Sequence, residues 1–290
     1  DRREPHATMS SKENEAMDVV DDKNTDLMSV AALIDALREV RRHLISEPSS
    51  THTHTHTHTT NKQESIEKRS MSVRSLARIS QSLGPQRTRD ELLPFVFEAE
   101  DEDEVLTELA TQLGNMLAHV GGENYVDHLL SPLEALCATE DVSVRDRAVK
   151  SICSLMSNVP GSLHGKYFFP LLQRLAKKEW FAARSSSCGL FAIGYRHANA
   201  EAQSEMRKMY ASLCADNTPL VRRSATKHIG SFAKTMQASF VQDVMMPLFV
   251  RLSKDDQDSV RSVCCYCQKL SLKLQSHPKI NPLEHQSRTA

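Results

Sequence analysis

The stretch Leu213 to Met236, LCADNTPLVRRSATKHIGSFAKTM, decides the fold. Pro219 suits the first turn of a helix, where a missing N–H is no loss and φ is already helical, and Thr218 before it is a residue type able to cap that helix. Val221, Ala225, Ile229, Phe232 and Met236 then recur every three or four residues and form one apolar stripe, while Arg222, Arg223, Lys227 and Lys234 fall off it. Leu213, eight residues before Val221, closes a preceding helix that carries Met206, Met209 and Tyr210. The unit is helix, short polar turn, helix.

The same unit recurs along the chain. Positions equivalent to Val221 are Val105, Val144, Ala183 and Val260, with successive spacings of 39, 39, 38 and 39 residues. The anchors of the first helices, Phe97, Leu136, Leu175, Leu213 and Leu252, keep the same period, each eight residues upstream. An arginine follows the marker at Arg145, Arg184, Arg222 and Arg261, the exception being Leu106. Pro132, Pro170 and Pro247 enter first helices and are expected to bend rather than end them, since the apolar register continues through them. A helical-pair period near 39 residues predicts an all-α HEAT-type solenoid, a right-handed superhelix of about six stacked antiparallel helix pairs. One such pair cannot bury its apolar face alone; stacked neighbours complete the core.

Composition agrees. Of 290 residues 40% are hydrophobic and only 5% aromatic, which suits helices packed through Leu, Ala, Val and Met. A net charge of -1 supplies no global reason to expect nucleic acid or an anionic membrane surface as partner. Seven cysteines, an odd number without framework spacing, point to reduced thiols and an intracellular, cytoplasmic setting, with the nucleus also open to it. No apolar run is long enough to span a bilayer.

In chain order, residues 1–29 read as a disordered acidic tail, and the first methionine is Met9, so the residues before it need not belong to the natural product. The first pair spans 30–84, with a helix from Val30 to Leu44 and a low-complexity His/Thr insertion at about 46–65. Further pairs follow at 87–120, 123–159, 163–198, 201–237 and 239–275, and an irregular tail at 276–290. Gly84 is expected to end the second helix of the first pair.

Candidate chemistry is sparse. His52, His54, His56 and His58 could ligate a transition metal, but a solvated repeat tract without groups to orient the rings is the better reading. In CCYC, Cys264 and Cys267 fall on the buried stripe while Cys265 turns about 100° away, so three thiolates do not converge. GSLHGKY at 161–167 looks like a phosphate loop, yet it is one residue short, lacks Ser/Thr after Lys166 and follows no strand. The acidic run EAEDEDE at 98–104 lies on an exposed turn with no dry cavity, so it reads as surface rather than catalysis. No metal, cofactor or catalytic residue is expected. The chain reads as a non-enzyme.

Function is then sought in the turns, which stacking brings into one strip: AEDEDEV, ATEDVSV, KKEWFAA, ADNTPLV and KDDQDSV. Trp180, the only tryptophan, sits in this row beside Phe181, either as a partner anchor or as a cap over the neighbouring pair. Arg145, Arg184, Arg222 and Arg261 are expected to form a structural ladder, bonding turn acids from one pair to the next.

These motifs also carry a resemblance. LIDALR (33–38), RTRDELLPF (87–95), DEDEV (101–105), LGNMLAHVGGENYV (113–126), VRDRAV (144–149), EWFAARSSSCGLF (179–191), CADNTPLVRRSA (214–225) and DDQDSVR (255–261), in this order, resemble the scaffold (A) subunits of protein phosphatase 2A. The match runs over roughly 30–274, apart from the insertion. The resemblance implies a noncatalytic scaffold whose early repeats hold an exchangeable regulatory B-type subunit through the turns and whose last repeats hold the catalytic subunit. Carried onto this chain, the regulatory-subunit contacts are Asp101, Glu102, Asp103, Glu140, Asp141, Trp180, Phe181, Asn217, Thr218, Pro219, Arg223, Asp256, Asp258 and Ser259. Two departures stand out. After Leu274, His277, Pro278 and Pro282 break the pattern, so the catalytic subunit is expected as a partner only if further repeats exist elsewhere; and the His/Thr insertion interrupts the first turn. The alternative is a diverged HEAT adaptor that takes an unrelated protein or peptide in its concave groove.

Overall fold

The computed structural model describes residues 66–97 and 102–265. The acidic tail, the helix expected at Val30 to Leu44, the histidine tract, Asp101, Cys267 and the C-terminal tail lie outside the described residues. The chain divides into two compact units between Val105 and Leu106. Among the described residues every regular element is helical, and no helix is long and apolar enough to cross a membrane.

In the first unit, 66–74 is helical and α1 (Leu76–Leu83) follows, with Leu76 and Ile79 buried. Gly84 ends α1 with φ 79°, a left-handed conformation that glycine adopts without steric cost, and its N–H reaches Ser80 O. A π turn, Thr88–Leu92, then leads into α2 (Leu93–Phe97). Pro94 follows that turn directly. Proline has no N–H for the i−4 carbonyl and its ring crowds it, so the wider turn absorbs the mismatch. The helix α3 (Asp103–Leu113) comes next, with the marker Val105 buried near its start.

The second unit contains α4 (Asp127–Leu136), α5 (Val142–Ser157), α6 (Gly161–Lys177), α7 (Phe181–Ser187), α8 (Phe191–Tyr195), α9 (Ala200–Cys214), α10 (Pro219–Ala233), α11 (Met246–Leu252) and α12 (258–265). The helices stack in two rows. The first helices pack in order, α4 on α6, α6 on α9 and α9 on α11; the second helices do the same, α5 on α7 and α8, and these on α10. Each first helix also packs on its partner, α4 on α5, α6 on α7 and α9 on α10. Val144, Ala183, Val221 and Val260 are all fully buried, as are Leu175 and Leu252, so the periodic apolar positions are the core. Phe191, Tyr195, Tyr210 and Phe232 form its aromatic centre, with ring centroids 4.7–5.3 Å apart, and the Tyr210 hydroxyl donates to Ala225 O at 2.6 Å.

Helices α4 and α6 run through Pro132 and Pro170. At Pro247 the chain is helical from Ala238 to Leu252 but passes through a π turn, Val241–Met245, just before the proline. One second helix is broken: α7 and α8 are separated at Gly189, where a Cβ would lie 2.8 Å from Val149 Cγ1 and 3.5 Å from His228 Cε1. Val149 approaches too closely there for a side chain to fit without a shift, while His228 lies at ordinary contact distance. The GSLHGKY segment opens helix α6 and has no strand before it.

What ties successive turns together is a series of arginine forks. Arg222 donates from Nη1 to the carbonyls of Asp216 (2.9 Å) and Asn217 (3.4 Å) in its own turn, and from Nε and Nη2 to both carboxylate oxygens of Asp255 in the next turn, at 2.7 and 2.8 Å. Nη2 also reaches Asp256 at 2.7 Å. Arg184 repeats the arrangement, with Lys178 and Glu179 carbonyls on one side and the Asp216 carboxylate on the other, at 2.7 and 3.0 Å. Each aspartate also accepts a backbone N–H of its own turn, Thr218 for Asp216 and Gln257 for Asp255. Arg261 holds the carbonyls of Asp255 and Asp256 and pairs with Asp258 in the same turn.

Thr218 occupies the cap position of α10 but its hydroxyl makes no capping bond; it accepts instead from Arg184 Nη2 at 3.4 Å. The Asp216 carboxylate, two residues earlier, takes the turn's free N–H.

The side chains of Arg222 and Asp255 are 12% and 7% exposed, so removing one leaves a nearly buried charge without its partner. Asp255→Ala is expected to lower the free energy of unfolding by about 3 kcal/mol, and the double variant with Arg222→Ala to cost less than the sum of the two singles in urea melts.

Acid should act in two steps. Burial, reinforced by Lys227 and only partly opposed by Asp146, brings the His228 imidazole down to about 4; burial and the neighbouring His197 also lower His164. Both are held neutral when folded, so the unfolded chain binds more protons below the ordinary histidine value of about 6.5, and stability falls from there toward pH 4. Burial alone would raise the Asp216 carboxyl, but Arg184 and the Thr218 N–H bring it below its usual range; Arg222 holds Asp255 lower still. Their contribution is complete above about pH 4 and is lost as pH falls further through the folded values. Melting temperatures measured from pH 7.5 to 3 should therefore show both declines, and His228→Gln should flatten the first alone.

Candidate functional site

The candidate surface is the row of turns between paired helices. In the second unit it includes 137–141, 178–180, 215–218 and 253–257. The forks from Arg184 to Asp216 and from Arg222 to Asp255 bring the last three of these side by side. A cleft of about 440 Å³ crosses the second helices next to the row, lined among others by Val142, Arg145, Phe181, Leu220 and Arg223, and so joins the first turn to the others. Large apolar side chains are left open along it: Val142 is 59% exposed, Trp180 42% and Leu220 50%.

The residues carried over by resemblance fall into two groups. Some are engaged in the fold. Asp141 caps α5, accepting from the N–H groups of Ser143 and Val144 at 2.7 and 2.9 Å, which satisfies donors that the helix end leaves free. Thr218 is tied to Arg184, Asp256 to Arg222 and Asp258 to Arg261. Pro219 is the first residue of α10, and Asn217 contributes its carbonyl to Arg222.

Others face solvent. Glu140, Arg223 and Ser259 are exposed. Trp180 stands at the start of α7 with its ring 4.8 Å from that of Phe181, tilted by 52°, so two aromatic faces project from one turn. In the first unit Asp103 opens α3 and is exposed, and the Glu102 carbonyl accepts the Val105 N–H at 2.9 Å.

The ladder arginines are not alike. Arg184 and Arg222 bridge to the following turn. Arg145 clamps its own turn, Nη1 donating to Thr139 O at 2.8 Å and Glu140 O at 2.6 Å, but forms no rung to the next. Arg261 pairs only within its own turn among the described residues. Two residues that sequence reasoning did not single out, Asp216 and Asp255, receive the rungs. The signal was present: each lies six residues before an arginine of the ladder, at the position of Thr139 and Lys178 in the other turns.

Among the described residues no cluster of three or more His, Cys, Asp or Glu could hold a metal ion. Burial raises the thiols of Cys137, Cys188 and Cys214 far from reactivity, Cys214 to about 12. Cys264 is buried and Cys265 exposed, on different faces of α12.

No protein-family model matches the chain. It is similar to the protein phosphatase 2A scaffold subunit of Dictyostelium discoideum, 45% identical over 190 residues, which are 65% of this chain and 32% of that protein. It is similar also to a protein phosphatase PP2A regulatory subunit of Schizosaccharomyces pombe, 44% identical over 202 residues, 69% of this chain and 34% of the relative. Of solved structures, Cex1p overlaps with a TM-score of 0.49 at 11% identity, across 86% of this chain and 46% of Cex1p, too loosely to add to the packing already described. The chain spans about a third of the length of the curated relatives it matches, and these are scaffold or regulatory subunits by name, not catalytic ones. Over the third of their length that it matches, the chain is similar in sequence to scaffold (A) subunits of protein phosphatase 2A.

Proposed function

We propose that the chain is a noncatalytic scaffold of the protein phosphatase 2A type and that its row of turns docks a regulatory B-type subunit. What carries the reading is that three of the turns are held in file by the largely buried forks of Arg184 and Arg222, while Val142, Trp180 and Leu220 stay open beside the row. Apolar groups left exposed in a row, rimmed by charge, are what an interface needs and what a solitary stack would avoid. The relatives' role as scaffold subunits of phosphatase 2A supplies the class of partner.

Within this reading Trp180 and Phe181 are the anchor, since a tryptophan gives large contact area and a polar N–H at one point. Pro219 fixes the direction in which α10 leaves its turn, and Arg223 adds a charge at the edge. Glu140 and Ser259 are rim contacts; Asp141, Asp256 and Asp258 serve mainly to shape the turns. A second reading, an adaptor that takes a peptide in the cleft over the second helices, is favoured by that cleft's size alone.

The two readings separate by mutation. Trp180→Ala combined with Pro219→Ala is expected to weaken binding of a purified B-type subunit by roughly tenfold to a hundredfold, with helicity by circular dichroism unchanged. Unchanged affinity would remove the turns as the docking surface. Loss of binding on Lys150→Glu with Lys227→Glu, but not on the turn substitutions, would favour the cleft.

A further inference from the structure

The rungs of the ladder share one register. Every arginine of the series holds the carbonyls five and six residues before it: Thr139 and Glu140 for Arg145, Lys178 and Glu179 for Arg184, Asp216 and Asn217 for Arg222, Asp255 and Asp256 for Arg261. The first residue of each such pair is the one that receives the rung from the preceding turn. Asp216 receives Arg184 and Asp255 receives Arg222. The residue that should receive Arg145 is Lys178. A lysine has no acceptor, so the Nε and Nη2 edge of Arg145 is left without a carboxylate.

Among the described residues no other acid takes that place. Asp146 follows Arg145 directly, and adjacent residues on a helix point apart; its carboxylate lies 3.5 Å from Lys227 instead. Glu179 stands where Asp256 stands two turns later, yet it makes no ion pair with Arg145 and is exposed. Around this open edge the cleft is lined by Lys150, Arg223 and Lys227 against a single carboxylate, Asp146, and its apolar lining includes Val142, Phe181 and Leu220. Field and rim both suit an acidic residue beside an apolar one.

We infer that Arg145 receives a carboxylate side chain of the docked protein partner, which supplies in trans the rung that Lys178 denies in cis. The occupant is a segment of a folded partner carrying Asp or Glu next to a large apolar residue, the acid on the guanidinium edge and the apolar group on Val142, Phe181 and Leu220. This rests on the docking reading above and narrows it to one chemistry at one joint. Lys178 acts through Arg145 by keeping the edge unoccupied.

The test is Lys178→Asp in the full chain, titrated by calorimetry with a purified B-type subunit of phosphatase 2A. The new aspartate should close the rung within the chain, raising the melting temperature by about 2–4 °C while weakening binding about tenfold, two effects of opposite sign. Arg145→Lys keeps the cation and a donor for the turn carbonyls but loses the two-pronged edge, and should weaken binding to a similar degree. Glu179→Gln should change neither property. If Glu179→Gln lowers the melting temperature, the edge is already filled within the chain and the inference falls. It falls equally if Trp180→Ala weakens binding while Lys178→Asp and Arg145→Lys do not, a result that would leave the docking surface intact. Were all three variants to bind normally, the docking reading itself would be lost.

Discussion

A guanidinium that faces two ways is the constraint from which the rest of the second unit follows. Burying apolar stripes makes helix pairs stack, but stripes of Val, Ala, Leu and Ile repeated at nearly constant spacing tolerate sliding of one pair along the next. The forks of Arg184 and Arg222 do not. Each has one edge committed to two carbonyls of its own turn and the other to a carboxylate that also accepts a backbone N–H. Only one offset between neighbouring pairs satisfies all of these bonds together. Semi-buried ion pairs add little net stability once desolvation is counted, and register is the better-attested return on them.

The period, the helix pairs and the buried positions were legible in the sequence because they depend on side-chain size and spacing alone. Val144, Ala183, Val221 and Val260 needed no partner to be recognised as core. What was not legible depended on the neighbour. A second helix is divided at Gly189, where Val149 leaves no room for a Cβ, and Val149 does not adjoin it in sequence. Thr218 has the composition of a cap, but its hydroxyl accepts from Arg184 of the preceding pair and makes no bond to the helix end. Pro94 and Pro247 look like Pro132 and Pro170 in sequence; the difference is a π turn ahead of each of the first two. The candidate surface was half readable: Trp180 and Pro219 stand out by type, whereas Asp216 and Asp255 acquire meaning only when an arginine from the preceding turn is seen to meet them.

The same distinction sorts the acids of the turns. Carboxylates in these segments look interchangeable by composition, but their surroundings divide them. Asp141 spends its oxygens on a helix end, Asp216 and Asp255 on a fork and a turn N–H, and Glu140 on nothing but solvent. An acid already satisfied by two or more donors has little left to offer a partner, since breaking those bonds would cost what the new contact returns. Under the docking proposed above, recognition falls to the side chains the fold does not use. In the second unit these are the aromatic pair at Trp180 and Phe181, the open aliphatic residues Val142 and Leu220, and the cations of the adjoining cleft.

The rungs are also uneven along the stack. The position after the marker is Leu106 and its counterpart in the next turn Thr139, so no charge is present and none is stranded. Arg145 and Lys178 follow, a fork without an acceptor, and then the two complete rungs. The joint at Lys178 is thus held by apolar packing, by Ser186, whose hydroxyl donates to Cys137 O at 2.8 Å, and by the fork of Arg174 on Glu134 between α6 and α4, at 2.9 and 2.6 Å; what it lacks is the turn-to-turn rung of its successors. Of the three joints it is the one without a rung between its turns, and it carries Trp180. A partner seated there meets a guanidinium edge left open between two helix pairs that Arg174 and Glu134 already hold together, so filling that edge would complete the file of rungs rather than fix a loose turn.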